Sequence, residues 1–312
     1  MNSFLPILRE HWRQWQYNRH EKLKYYNFWQ DERPKEMWFS RFIAHHFPNN
    51  HRRINFNSVL GPKELMSDGR PGINIFYTGE NIHTSRFHNH YQRYTKQHYD
   101  LALGFDFQQH ENYMRLPLWL MWCFPPEATQ NDIVNLCNAM NHPQSVTRPR
   151  FCSLICSHDQ DGIRGQIMDV VSTIGVVDSA GKFRNNTNDL QDLFADNKTH
   201  FLEQYRYTIC PENSNYPGYV TEKIFDAIRS GCIPIYNGSD NMPEPDIINR
   251  NAVLFWEKDS DNTQLLETLT HLEHNHNDYL DFTSLPRLSP QAADIIWGYY
   301  LRLIQHLSPM LT

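Results

Sequence analysis

Residues 151–238 alternate short β-branched or aromatic runs with amphipathic stretches, and this alternation restricts the fold more than any other feature of the chain. The run FCSLICS precedes the helical pattern IRGQIMDVVSTIG. A second helix is read over DLQDLFADNKTHFLEQ, followed by the strand YRYTIC, the loop PENSNYPGY, the helix VTEKIFDAIRSG and the strand IPIYNG. Strand and helix in turn predict a parallel sheet with helices on its faces, because parallel neighbours need a crossover long enough to hold a helix. Such sheets bind ligands beyond the carboxyl ends of their strands, which makes the loop at 211–220 the first place to look.

Ahead of this region, residues 1–70 are rich in charge and aromatic rings, and KEMWFSRFIAHHF carries the spacing of a surface helix (Met37, Phe39, Phe42, Ile43, Phe47). INIFYTGEN and YDLALGFDF predict strands near 73–78 and 99–105, each ending in a loop with an acid. The stretch MNHPQSVTRPRF has breakers and no periodicity, which sets a boundary between domains 1–147 and 148–288. Two domains suit 312 residues, since single cores stop growing near ~250–300. A last helix over 289–307, with Ser289 as N-cap, Pro290 in its first turn and a stripe of Ile296, Tyr300, Leu303, Ile304 and Leu307, is expected to pack back on the first domain.

The net charge of −6 argues against a nucleic-acid coat or a polybasic anchor, so any basic site must be local. The six cysteines are scattered through apolar runs and read as reduced core residues; Cys152 and Cys156 share a strand face but sit too far apart to bridge. The start of the chain lacks an apolar signal region, and no run reaches the ~18 apolar residues of a membrane span. The expectation is a cytoplasmic protein whose contact with membranes is at most peripheral. The sequons at Asn185, Asn197 and Asn237 would then never meet a glycosylation enzyme.

The loop after YRYTIC brings Glu212, Asn213 and Tyr219 next to a helix expected to begin near Val220, with Glu222 and Lys223 in its first turn. A helix N-terminus suits an anion, and a lysine placed there against the dipole points to phosphate, although a solvated surface lysine reads the same. Glu222 is either an ordinary first-turn acid or an acceptor for two ribose hydroxyls. Arg164 follows FCSLICS and would reach the same crevice, or else decorate a helix surface. Neither G-x-G-x-x-G nor a Walker sequence occurs, so side chains rather than a glycine cradle would hold a nucleotide. Asp159 and Asp161 form a D-x-D that reads as a polar turn, and His83, His88, His90 and His98 lack the spacing of a metal site.

PENS, YVTEK and GCIPIYNG, together with FYTGEN, YDLALGFDF, YMRLPLWLMW and RGQIMDVVSTIGVVDSAGKFRNN in the same order, resemble the signature of the α-1,3-fucosyltransferases of glycosyltransferase family 10. The resemblance runs from about 71 to 257 and is nearest to the soluble bacterial branch. It implies a GT-B architecture, two Rossmann-like domains facing a central cleft, with GDP-fucose in the second and a glycan acceptor in the first. By the same resemblance Arg164 and Lys223 neutralise the pyrophosphate and Glu222 holds the ribose. Glu212, Asn213 and Tyr219 line fucose and phosphates, and Glu80 is the general base, with Glu212 the second catalytic candidate. No metal or other cofactor is expected.

The implied activity is inverting transfer of L-fucose to an N-acetyllactosamine-type glycan at O3 of N-acetylglucosamine. The alternatives are an inverting transferase for another nucleotide sugar, and a glycoside hydrolase using Glu80 and Glu212 as paired carboxylates. Pro211 stands where the family has Phe before Glu-Asn, and neither the membrane span of Golgi members nor the heptad repeats of some bacterial members is seen.

Overall fold

The computed structural model describes residues 4–29, 32–66, 69–84, 99–143 and 147–312. The chain divides into two compact units, one of Met1–Thr129 with Ile296–Thr312, the other of Gln130–Ile295.

In the first unit, β1 (Leu23–Tyr26), β2 (Ile54–Asn57), β3 (Ile73–Tyr77), β4 (Leu101–Gly104) and β5 (Tyr113–Arg115) form a parallel sheet in sequential order. β2, β3 and β4 are buried along their whole length, as strands covered on both faces must be. The aromatic residues largely explain themselves here. Tyr25 stacks on Phe56 at 5.0 Å, Phe56 on Phe39 at 4.8 Å, and Phe28 on Tyr77 at 6.0 Å. Such pairs add about 0.5–1.5 kcal/mol each beyond their burial. Phe39, Phe42 and Ile43 lie on the buried side of the Trp38–His46 helix, and the Trp38 indole donates to Phe124 O at 3.0 Å.

The second unit carries β6 (Arg150–Leu154), β7 (Val177–Ser179), β8 (Tyr205–Ile209), β9 (Ile233–Tyr236) and β10 (Leu254–Phe255), again all parallel, in the order β10-β9-β8-β6-β7. This order has a reversal. From β6 the chain steps to β7 on one side and then crosses to β8 on the other, so the strand order turns between β6 and β8. Helices leaving the sheet on either side of such a point splay apart and open a crevice at the carboxyl ends of the two strands. The core beneath it is aliphatic, with Ile167, Val171, Ile233, Ile235 and Leu269 all fully buried.

Several elements differ from expectation. The helix read over DLQDLFADNKTHFLEQ is two short ones, Asp189–Asp192 and Lys198–Leu202. Ala195 and Asp196 between them have φ of 48° and 61°, and the Asn197 side chain accepts from His200 N to start the second helix. The helix expected near Val220 begins at Glu222, after Thr221 as N-cap. β6 ends at Leu154, so Cys156 lies beyond the strand; all six cysteines are free thiols. Ser289 does not cap a helix with its side chain. Its hydroxyl donates to Asp246 O at 2.6 Å, and the last helix runs Ala292–Leu311. From Ile296 onward this helix belongs to the first unit, with Ile296, Tyr300, Leu303 and Leu307 buried. His88, His90 and His98 lie outside the described residues.

Candidate active site

Past the end of β8 the chain stays in register with β9, as Cys210 N donates to Ile235 O and Glu212 N to Asn237 O. This extension carries Glu212 to the N-terminus of the Glu222–Arg229 helix, where its carboxylate is entirely buried. Oε1 accepts from Thr221 N at 2.8 Å and Oε2 from Thr221 Oγ1 at 2.6 Å and Lys223 Nζ at 3.1 Å. The Tyr236 hydroxyl approaches Oε1 at 3.4 Å. A carboxylate offers about four acceptor sites, and these four donors take them. Gly238 makes the arrangement fit: at φ 150°, a Cβ there would lie 2.7 Å from Glu212 Cγ.

Lys223 is thereby fixed. Its ammonium also donates to Thr221 Oγ1 at 2.7 Å and pairs with Glu222 Oε1 at 3.8 Å, beyond hydrogen-bond reach, which leaves one of its three N–H groups without a hydrogen bond. Burial works against its charge, but Glu212 and Glu222 outweigh it and hold the lysine above its ordinary pKa. Glu222 is the reverse case: burial would raise it, and Lys223 brings it below the ordinary carboxylate value. Both groups are charged at neutral pH.

Arg164 comes from the other side of the reversal, in the first turn of the Ile163–Val171 helix, and is only 4% exposed. Asp159 caps this helix by accepting from Arg164 N at 3.1 Å and Gly165 N at 2.8 Å. The guanidinium donates to His158 O and, through Nη2, to Asn213 Oδ1 at 2.6 Å. Asn213 follows β8, so this bond spans the crevice between β6 and β8. Arg164, Glu222 and Lys223 line one cavity of about 70 Å³ there. Asp161 makes no ion pair, and no group of three or more metal-ligating side chains occurs among the described residues.

The structure thus brings together Arg164, Asn213, Glu212, Glu222 and Lys223, and treats them differently. Arg164, Glu222 and Lys223 face the cavity; Glu212 lies beneath it; Asn213 braces Arg164. Tyr219 is only 1% exposed and is not among the cavity-lining residues. Two further charged residues, Lys198 and Asp226, line the cavity without standing in any motif. Asp226 lies one helical turn past Glu222 on the same face, the single cue that periodicity offers for it.

Glu80 belongs to the first unit. Three residues past the end of β3, its turn is locked by Thr78, whose hydroxyl accepts from Glu80 N at 3.1 Å and donates to Glu80 O at 3.0 Å. Gly79 lets the Leu118–Cys123 helix come close, since a Cβ there would sit 2.9 Å from Leu118 Cδ1. Glu80 is half-buried. Nearby, His83 Nε2 pairs with Asp106 Oδ2 at 2.9 Å, in the loop after β4.

A larger cavity, about 830 Å³, opens at the amino ends of β6 and β8. Its charges are spent internally. Arg206 grips Glu273 through two bonds of 2.9 and 2.6 Å, and Arg148 donates to the carbonyls of Glu203, Tyr205 and Ser230. It lies at the end of the sheet opposite the reversal crevice.

Two family models match the chain: "Alpha-(1,3)-fucosyltransferase FucT N-terminal domain" over residues 23–122 and "Glycosyltransferase family 10 (fucosyltransferase) C-term" over 146–286. The Alpha-(1,3)-fucosyltransferase FucT of Helicobacter pylori is 26% identical over 296 residues, covering 83% of this chain; the chain spans 59% of that relative's length. A crystal structure of an alpha1,3-fucosyltransferase superposes with a TM-score of 0.60 at 25% identity, covering 91% of this chain and 89% of the other. A crystal structure of an alpha1,3-fucosyltransferase with GDP-fucose gives 0.56 at 22% identity, over 91% and 90%. The parallel α/β units are those of a GT-B fold, and the chain belongs to glycosyltransferase family 10, the fucosyltransferases.

Proposed function

We propose that the chain transfers L-fucose from GDP-β-L-fucose, with inversion, to an N-acetyllactosamine-type glycan, and that the accepting hydroxyl is O3 of N-acetylglucosamine. One observation carries the donor half of this reading. Two cations from opposite sides of the strand-order reversal, Arg164 and Lys223, line the same cavity as Glu222 at a helix N-terminus. A nucleoside diphosphate needs this combination: positive charge and free N–H groups for the diphosphate, and a charged carboxylate for the ribose hydroxyls. Family membership supports fucose as the transferred sugar.

In this mechanism the acceptor oxygen attacks C1 of fucose as the bond from C1 to the phosphate oxygen breaks. Glu80 takes the acceptor proton, and Arg164, Lys223 and the helix end stabilise the charge on departing GDP. Glu212 acts through Lys223, as a positioning residue whose carboxylate is already saturated. Asn213 does the same for Arg164. Tyr219 we assign to the wall behind the fucose and phosphate site. A divalent ion is not required, because the two cations supply the charge and the Asp159 carboxylate is occupied as a helix cap. The hydrolase alternative loses its second carboxylate, since Glu212 has no lone pair left to offer a water.

The test is calorimetric titration with GDP and UDP, followed by incubation with GDP-fucose and type 1 and type 2 disaccharides, the product linkage being read by NMR. GDP binding with an α-1,3 product on the type 2 disaccharide is expected. Tight UDP binding without GDP binding would move the chain to another nucleotide sugar, and an O4 linkage would move the acceptor assignment.

A further inference from the structure

Among the described side chains of the Phe4–Asn18 helix, the two buried ones are polar and three large apolar ones are exposed. The residues it buries are Gln14 and Asn18, each 2% exposed, which bond to Asn27 and to the Tyr25 backbone. Leu8, Trp12 and Trp15 are 48%, 62% and 51% exposed. Their spacing of four and then three places them on one stripe of the helix. Single exposed apolar residues need no explanation, but two tryptophans and a leucine in line on one helix do. Nothing in the donor-site chemistry above uses them.

The charge around the stripe says what would cover it. Residues 4–24 hold five cations, Arg9, Arg13, Arg19, Lys22 and Lys24, against two acids, Glu10 and Glu21, in a chain whose net charge is −6. Arg13 is committed to Glu10 at 2.8 Å. Among the described residues Arg9 and Lys22 have no ion-pair partner, and the Arg19 guanidinium lies 5.8 Å from the centre of the Trp15 ring. An apolar stripe with tryptophan rings and flanking arginines fits the boundary of an anionic bilayer. Indole rings settle there between headgroups and acyl chains, and long cationic side chains reach up to the phosphates. A second copy of this chain would bring the same positive charge against itself.

We propose that the Phe4–Asn18 helix is a docking surface for an anionic lipid bilayer, which it meets through Leu8, Trp12 and Trp15 with Arg9, Arg19 and Lys22 on the phosphates. This makes the enzyme a peripheral membrane protein held by a helix lying in the interface, and it stands apart from the assignment of donor and acceptor.

Co-sedimentation with vesicles tests it, using phosphatidylcholine alone and phosphatidylcholine mixed with phosphatidylglycerol. The full chain is expected to bind the mixed vesicles at least tenfold more tightly than the neutral ones, with binding weakened by salt. Trp12→Glu with Trp15→Glu is expected to abolish binding to both, and Arg9→Glu with Arg19→Glu to remove only the preference for the anionic vesicles. All four positions are exposed, so melting temperature and turnover on a soluble acceptor should match the parent. Absence of binding to mixed vesicles at low salt, or undiminished binding by the Trp12→Glu, Trp15→Glu variant, overturns the proposal. So does a concentration-dependent dimer that the same variant abolishes, which would make the stripe an interface between copies.

Discussion

Lys223 Nζ lies 3.1 Å from Glu212 Oε2, and the carboxylate it meets has no exposure to solvent. An ammonium at the first turn of a helix opposes the helix dipole, so on its own Lys223 would be expected to swing away. The buried carboxylate holds it in place, with Thr221 as the shared partner of both. The unfavourable placement of Lys223 is therefore stabilised from below, while the ammonium keeps a donor for a ligand above.

Lys223→Ala and Arg164→Ala should each weaken GDP binding by about 1.5–3 kcal/mol, the range for a charge-assisted bond to phosphate. The double variant should lose less than the sum if both cations grip one diphosphate. Calorimetry on the three proteins decides it. Unchanged GDP affinity in both single variants would remove the donor assignment.

Stability should depend on pH through Lys223 and Glu222 in opposite directions. Lys223 is raised in the folded state, so its contribution is complete below the ordinary lysine value and is lost as pH rises through the raised one. Glu222 is lowered, so its contribution is present above the ordinary carboxylate value and disappears as pH falls through the lowered one. Denaturant midpoints should fall above about pH 10 and below about pH 4. Lys223→Met should flatten both the alkaline and the acid fall, because Lys223 is the chief charge holding Glu222 below its ordinary value and without it burial disfavours the ionised form. Identical profiles for the two proteins would show that the pair does not couple.

Gly238→Ala should destabilise the second unit. The new methyl would meet Glu212 Cγ at 2.7 Å and Cβ at 2.9 Å, at a φ that L residues rarely adopt. Overpacking of this kind costs about 1–3 kcal/mol. Because the clash falls on Glu212, GDP affinity should drop along with the unfolding free energy. A stable variant with weakened GDP binding would still place Gly238 in the support of Lys223; no change in either quantity would not.

The parallel sheet of the second unit was legible because strand and helix periods differ, and Lys223 stood out because a lysine at a helix start is locally unfavourable; Arg164 could be placed in the same crevice only as one of two readings, the other a helix surface. Glu212 was not legible in the same way. A carboxylate that reacts and one that buries itself under a helix end look alike until the chain beyond β8 is seen to run beside β9. β1, β2, β5, β7 and β10 escaped because strands of two to four residues carry too few side chains to show a period; β4 and β9, equally short, were seen because each stands in a longer apolar run. The break at Ala195 and Asp196 escaped because neither residue is a glycine, although both take positive φ. Asp226 and Lys198 needed the cavity itself to be noticed.

Turnover should survive EDTA. Asp159, the first acid of the D-x-D, has both oxygens on the N–H groups of the Ile163–Val171 helix, and the diphosphate has two protein cations to face. The check is initial rate after chelation and dialysis, with and without added manganese. Loss of turnover restored by manganese would promote Asp159 and Asp161 to metal ligands and demote Arg164.

The sharpest expectation concerns Glu80. Its backbone, three residues beyond β3, is locked by Thr78, and the side chain is half-buried at the carboxyl end of its sheet, the end where such folds gather ligands. A base that acts only on the acceptor should affect the chemical step and leave donor binding alone. Glu80→Gln keeps the shape but removes the proton acceptor, so turnover should fall by about 10²–10⁴ while GDP affinity stays constant. A merely structural carboxylate would give the opposite pattern, with a lower melting temperature and unchanged turnover per folded molecule. Thr78→Val offers a second arm: it removes the hydroxyl that locks the turn without touching the carboxylate, and should lower turnover by misplacing Glu80 while Glu80→Gln in the same background adds little further loss. If Glu80→Gln retains more than about a tenth of the parent turnover, where general-base catalysis demands a far larger loss, the proton must leave by another route. Glu212 could not supply it without first giving up Thr221 and Lys223, so the search would pass to His83, whose Nε2 is paired with Asp106 in the neighbouring loop.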